Sequence, residues 1–210
     1  MIKDRHITEC IYHVYTRSIA KYTIFNNQDE YSRMLSVLNY YKSEDVPTKY
    51  SFLRTHPEQN VDCNKRIVQI LAYCLMPTHI HLLLKQKQDF GISRYINRCL
   101  NSYTRYFNIK HKRKGPLWES RFKSSAITSN EIFTHITRYI HLNPVTAGLA
   151  GSPADWHFSS YSEYLSENTT PIICELEGLW DIIPRNYKQF VIEQASYQKE
   201  LSLIKHLIDH

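Results

Sequence analysis

Glycine is scarce in this chain: five in 210 residues, at positions 91, 115, 148, 151 and 178. None builds a G-x-G-x-x-G turn or another phosphate-cradling loop, which excludes dinucleotide and P-loop nucleotide enzymes. Cysteine is as thin and poorly placed for cross-linking. The five thiols, at 10, 63, 74, 99 and 174, are odd in number, scattered, and without a C-x-x-C pair. A disulfide framework or thiolate zinc site is therefore not expected, and reduced cytosolic thiols are. Long apolar runs are missing too. The longest, Ile70 to Met76, is far too short to span a bilayer. Met1 to His6 carries charges with no apolar stretch behind them, so no signal peptide is expected and the chain reads as cytoplasmic, with no membrane partner.

What is present suits a folded protein. Apolar residues make up 42% of the chain and tyrosine alone contributes 16 residues, enough to bury a core in one domain of ordinary size plus a modest extension. The formal net charge is +6, which makes a polyanion partner plausible without showing one. The charge is uneven along the chain. Residues 105–123 hold seven bases and one acid, whereas the tail from 167 holds seven acids and four bases.

Hydrophobic patterning gives the order of elements. Cys10 to Ile19 mixes β-branched and aromatic residues as a strand does. Asn27 stands where it caps a helix carrying Tyr31, Met34, Leu35, Leu38 and Tyr41 at helical spacing. Residues 43–66 read as a long loop, with a short strand expected at Tyr50–Leu53. Val68–Met76 reads as a strand, Pro77-Thr78 as punctuation, and His79–Lys85 as its extended continuation or hairpin partner. A helix is expected over Ile92–Ile109 and a strand over Phe122–Ile127. The capping-box sequence Thr128-Ser129-Asn130-Glu131 opens a third helix, predicted to stop near Asn143-Pro144 because the residue before proline resists helical geometry. Trp156–Leu165 is a short aromatic closing segment, and Tyr187–Leu207 is weakly helical. This order predicts an α+β fold with helices packed on one face of an antiparallel sheet.

Three clusters carry chemistry. In a strand, residues two apart share a face, so His79 and His81 present two imidazoles side by side while Ile80 and Leu82 face the core. That spacing holds two positions of one metal ion, or two histidines hydrogen-bonding locally. Tyr139 and Asn143, four apart on a helix, stack beside the stripe Ile132, Ile136, Ile140, the face expected to pack toward the body of the protein. An amide oxygen is a legitimate hard-metal ligand, although spacing alone equally describes a core-edge tyrosine and a capping asparagine. The third cluster comprises Lys110, Lys112, Arg113, Lys114, Arg121 and Lys123, interleaved with Tyr106, Phe107, Trp118 and Phe122. Cations there suit phosphates and Trp118 suits stacking on a base, or the segment is a solvated loop with Trp118 and Phe122 turned inward.

Taken jointly, these motifs resemble the HUH-type single-tyrosine transposases, specifically the REP-associated tyrosine transposase branch. The matching text is Tyr12-His13-Val14 with Arg17, then Met76-Pro77-Thr78-His79-Ile80-His81-Leu82-Leu83, Gly115 to Phe122, Tyr139 to Val145, and Trp156 to Tyr161, colinear over about residues 10–165. The resemblance implies a ferredoxin-like catalytic domain over 1–166 and leaves 167–210 as a C-terminal helical extension without a motif. It implies a nucleophile at Tyr139, metal ligands at His79, His81 and Asn143, Mg²⁺ or Mn²⁺ as cofactor, and single-stranded or hairpin DNA as substrate. The expected activity is that of a DNA-cleaving and strand-joining transposase in a bacterial cytoplasm, working through a 5′-phosphotyrosine link. The rivals are a domesticated, non-enzymatic DNA-binding protein of the same fold and a metal-dependent hydrolase with a structural Tyr139. Among relatives the tyrosine helix serves its own chain or a partner's, so a homodimer stands beside a self-sufficient chain. Ser18 departs from the family's usual Arg-Gly continuation of the first strand.

Overall fold

The computed structural model describes residues 6–44, 46, 50, 65–119, 121–165 and 173–194. Four strands form one antiparallel sheet: β1 (Ile11–Arg17), β2 (Val68–Met76), β3 (His79–Gln86) and β4 (Lys123–Ile127), in the spatial order β2-β3-β1-β4. Helix α1 (Gln28–Tyr41) follows β1 and helix α2 (Gly91–Lys110) follows β3. This is the βαββαβ order of a ferredoxin-like fold. The expected α+β architecture is found, with one correction: helices cover both faces of the sheet rather than one, because the helix at Asn130–Thr146 packs over His81 on the face opposite Ile80, Leu82 and Leu84.

Each element forms where its residues satisfy local geometry. Asn27 caps α1 by accepting from the Glu30 backbone N–H at 3.2 Å. Pro77-Thr78 makes a two-residue hairpin that sets Met76 opposite His79. On α2, Ile92, Tyr95, Ile96, Cys99, Tyr103 and Phe107 are fully buried, an unbroken apolar stripe at helical spacing. Its two long tyrosines also dispose of their hydroxyls: Tyr95 donates to the Leu38 carbonyl at 3.1 Å and Tyr103 to that of Ile24 at 2.6 Å. Helices α1 and α2 pack together on the sheet face that carries Ile80, Leu82 and Leu84.

Helix α3 (Asn130–Thr146) stands over the opposite face. Ser129 caps it, accepting from the Ile132 N–H at 3.2 Å. Two expectations about this helix are corrected. It does not stop before Pro144 but runs one turn further, because only the 140–144 hydrogen bond is lost and the Ala147 N–H still reaches the Asn143 carbonyl at 2.9 Å. Ile132 is exposed rather than core-facing; Phe133, Thr137, Ile140, His141 and Pro144 are among the buried residues.

The segment after α3 closes the sheet. Leu75 N–H bonds the Phe158 carbonyl at 2.9 Å and Ser160 N–H bonds that of Tyr73 at 3.0 Å, so 158–160 covers the free edge of β2. Two short helices follow, α4 (Tyr161–Tyr164) and α5 (Tyr187–Ile192). The described part of the C-terminal segment shares the main core: Ile173, Cys174, Leu176, Ile183, Tyr187 and Val191 are buried within it. Of the weak helix expected over 187–207, the first turns form α5, and positions 195–207 lie outside the described residues. So does nearly all of the 43–66 loop, including the strand expected beyond Tyr50.

Candidate active site

Strand register brings the polar residues of β1 and β3 onto one face. Arg17 pairs with His79, Tyr15 with His81 and His13 with Leu83, and alternation puts the polar side chains of these pairs on the face beneath α3. Lys123 of β4 pairs with Tyr15, its ammonium 5.9 Å from the centre of that ring.

Tyr139 of α3 stands edge-on above this face. Its ring centre lies 5.6 Å from that of His81 and 6.0 Å from that of His13, at interplanar angles of 89° and 78°. His79 and His81 meet at 5.1 Å in a T-shaped pair. The structure therefore joins three of the residues that the sequence singles out, from segments roughly 60 positions apart. Tyr139 is 37% exposed, whereas His81 is 5% exposed: the phenol is reachable and the imidazole is not open to bulk solvent. Asn143, one turn further along α3, is half-buried, and its amide donates to the Tyr139 carbonyl at 3.0 Å.

Burial tunes the electrostatics. It lowers His79 to about 4, with the nearby Arg17 cation acting in the same direction. Burial places His81 well below the usual range, helped by its neighbours His79, His13 and Arg17, and lowers His13 to about 4. These imidazoles are neutral at physiological pH, the state in which a ring nitrogen can hold a metal. Burial raises Tyr139, against a hydrogen bond from Asn143 and the charge of Arg17. A phenol so placed keeps its proton until something offsets the charge of its oxygen.

The donor set fits a hard or borderline divalent ion. Two neutral imidazoles share a face, His79 with its Nδ1 held by the Thr78 hydroxyl at 3.0 Å, and an amide lies on the helix above. Among the described residues no three His, Cys, Asp or Glu side chains form a metal cluster, so an ion on the histidine pair would need a neutral oxygen such as that of Asn143.

The basic segment divides by what each cation already holds. Lys110 is spent on Glu30, at 2.9 Å. Arg113 ties its own loop, donating to Asn108 at 3.0 Å and to the Pro116 carbonyl at 2.6 Å. Lys112, Lys114, Arg121 and Lys123 are exposed. Trp118 is corrected: it is 8% exposed and packs 6.1 Å from Tyr103, so it presents no face for a base. The cause is backbone pairing. Ile19 N–H reaches the Leu117 carbonyl at 3.1 Å and Glu119 N–H that of Arg17 at 2.9 Å, which draws 117–119 into the sheet's end and its indole into the core. The same pairing carries the basic loop to the end of the sheet where His79 and Arg17 lie. Ser18 stabilises the turn there: its hydroxyl donates to the Tyr22 carbonyl at 2.5 Å, while Ala20 and Lys21 take left-handed φ of 52° and 55°.

His13, Tyr15 and Arg17 take no role from the sequence alone. The available signal is their spacing, i, i+2 and i+4 on one strand face, but only the β1–β3 register shows that this face meets the histidine pair.

The site thus consists of a ferredoxin-like sheet with two histidines beneath a tyrosine-bearing helix. Several known proteins are similar to this chain. Residues 53–143 match the family described as Transposase IS200 like. A Haemophilus influenzae protein assigned to the REP-associated tyrosine transposases is 27% identical over 109 residues, 47% of this chain and 62% of that relative. The match thus spans less than two thirds of the relative's length. A solved REP-associated tyrosine transposase bound to a REP hairpin superposes with a TM-score of 0.54 and 18% identity, over 83% of this chain and 90% of that one, which bears on the fold alone. A second structure, of a Deinococcus radiodurans protein assigned to the transposases, aligns at a TM-score of only 0.36 and 15% identity, over 67% of this chain and 95% of that one. The chain is similar to the IS200-like transposases and, among them, to the REP-associated tyrosine transposases.

Proposed function

We propose that this protein is a metal-dependent single-stranded DNA endonuclease and strand transferase, acting at hairpin-flanked sites through a covalent link on Tyr139. The observation that carries this reading is the exposed Tyr139 ring standing over the buried His81 and His13. The neighbour of like fold that was solved with a REP hairpin supports hairpin DNA as the substrate class.

The chain's own residues divide the work. Arg17 and Lys123 lie on either side of Tyr15 on the open sheet face and would hold the phosphates of a strand laid across it. Tyr139 Oη attacks the scissile phosphorus, a P–Oη bond forms and the P–O3′ bond breaks. The departing 3′-oxygen takes up a proton in place of the one the phenol gives up. A 5′-phosphotyrosine and a free 3′-hydroxyl result, and the energy of the broken bond is kept for rejoining. His79, His81 and Asn143 would hold a divalent ion, Mg²⁺ or Mn²⁺, which when bound supplies Lewis-acid stabilisation of the phosphate's developing charge. Asn143 also steadies Tyr139 by its hydrogen bond.

Incubation with hairpin-bearing single-stranded DNA and Mn²⁺, followed by a denaturing gel, tests the reading. A covalent protein–DNA band that Tyr139→Phe abolishes, with DNA binding retained, supports it. Free cleaved DNA from that variant would mean hydrolysis with a structural tyrosine. Binding without cleavage by the wild type would leave a DNA-binding protein.

A further inference from the structure

His13 is buried, 8% exposed, on the central strand β1. Its Nε2 lies 3.1 Å from Nδ1 of His81, with the two rings stacked 5.3 Å apart and 13° from parallel. Tyr15 stacks on both rings, at 5.6 and 5.8 Å, and Tyr139 closes the pair edge-on.

A short contact between two neutral imidazole nitrogens holds one proton, and the position of that proton decides what the outer nitrogen of His81 can do. If His13 donates, neutral His81 must carry its own proton on Nε2, and that nitrogen has no lone pair to offer. If His81 donates from Nδ1, its Nε2 is bare and faces away from His13. A histidine that serves a metal is regularly held this way, its second nitrogen donating to an outer partner.

We infer that His13 is a positioning residue: its Nε2 accepts the Nδ1–H of His81 and fixes the tautomer that turns the Nε2 lone pair of His81 toward a divalent cation. The inference rests on the proposed reading that His79 and His81 hold such an ion. It adds a role for a strand β1 residue outside the proposed ligand set of His79, His81 and Asn143. Phe at position 13 would keep the stack on Tyr15 and remove the acceptor, whereas Gln would restore a side-chain acceptor.

Two measurements on the full chain test it. The first is ring ¹⁵N–¹H long-range correlation spectroscopy of the metal-free wild type, in which His81 is expected to be protonated at Nδ1 and His13 bare at Nε2. Protonation of His81 at Nε2 overturns the inference. The second is Mn²⁺ affinity, by electron paramagnetic resonance of the free ion, for the wild type, His13→Phe and His13→Gln. Affinity is expected to fall by roughly 10–100-fold in His13→Phe and to recover largely in His13→Gln. A wild type that binds Mn²⁺ beside a folded His13→Phe of equal affinity overturns the inference and leaves the proposed function standing. A wild type that binds no Mn²⁺ overturns both.

Discussion

Glu30 is fully buried at the start of α1, yet it is ionised. Burial alone pushes its carboxyl up, but the Asn26 backbone N–H at 2.7 Å, the Lys110 ammonium at 2.9 Å, the Asn26 amide and His111 outweigh it and hold the group at about 2. Its folded pKa is below the usual 4.5, so its contribution is present above that value and fades as pH falls from there toward about 2. Glu30→Gln is expected to cost about 2–3 kcal/mol at pH 7, because the Lys110 ammonium loses its buried partner. Urea denaturation at pH 7 and pH 3 checks this, with the gap between variant and wild type narrowing at the lower pH. A second buried polar residue, His141, bonds the Tyr187 hydroxyl through Nδ1 and the Ser160 hydroxyl through Nε2, each at 2.8 Å. It sits within the Tyr139–Val145 motif but is a tie between α3 and the C-terminal segment. His141→Ala should lower stability by about 1–3 kcal/mol, with the decrease read from thermal melting.

Among the elements, α2 lies so close to the sheet that Gly91 has no room for a side chain. A Cβ there would collide with the Ile67 carbonyl oxygen, and backbone cannot give way as a flexible side chain can. Gly91→Ala should therefore destabilise by about 1–3 kcal/mol, measured by chemical denaturation. A stability equal to wild type would show that α2 can ride outward. The glycine is visible in the sequence, but its close approach is not, since it joins two segments that only the fold brings together. The helices themselves are legible because their caps and stripes are local. Helix α3 is less so: Pro144 reads as a stop, but in the last turn a proline costs a single hydrogen bond and its ring is buried. Trp118 misleads for a related reason. Composition puts it in a basic loop, whereas the pairing of 117–119 with the end of β1 pulls it into the core.

At the scale of the molecule, the +6 charge resolves into cations of different standing. Lys110 and Arg113 hold the structure together, and Lys112, Lys114 and Arg121 remain exposed near the end of the sheet that bears His79. Affinity for single-stranded DNA should fall steeply with salt, and Lys112→Ala with Lys114→Ala should reduce the log–log slope by roughly 0.7 for each phosphate no longer neutralised. Fluorescence anisotropy across a salt series measures it, and a slope unchanged by both substitutions would remove this loop from the DNA path. The histidine pair and the tyrosine are legible as separate motifs, two apart on a strand and four from an asparagine on a helix. Their meeting is legible only through the family resemblance and not from periodicity or spacing, because it depends on α3 crossing the face opposite α1 and α2. On the proposed function, Tyr139 bears the nucleophilic oxygen at this meeting point. Tandem mass spectrometry of the nuclease-trimmed protein, after reaction with hairpin-flanked single-stranded DNA, tests it most directly. One modified peptide is expected, with Tyr139 joined to the 5′-phosphate of the cleaved strand. A link on another residue, or to the 3′ end, would contradict it.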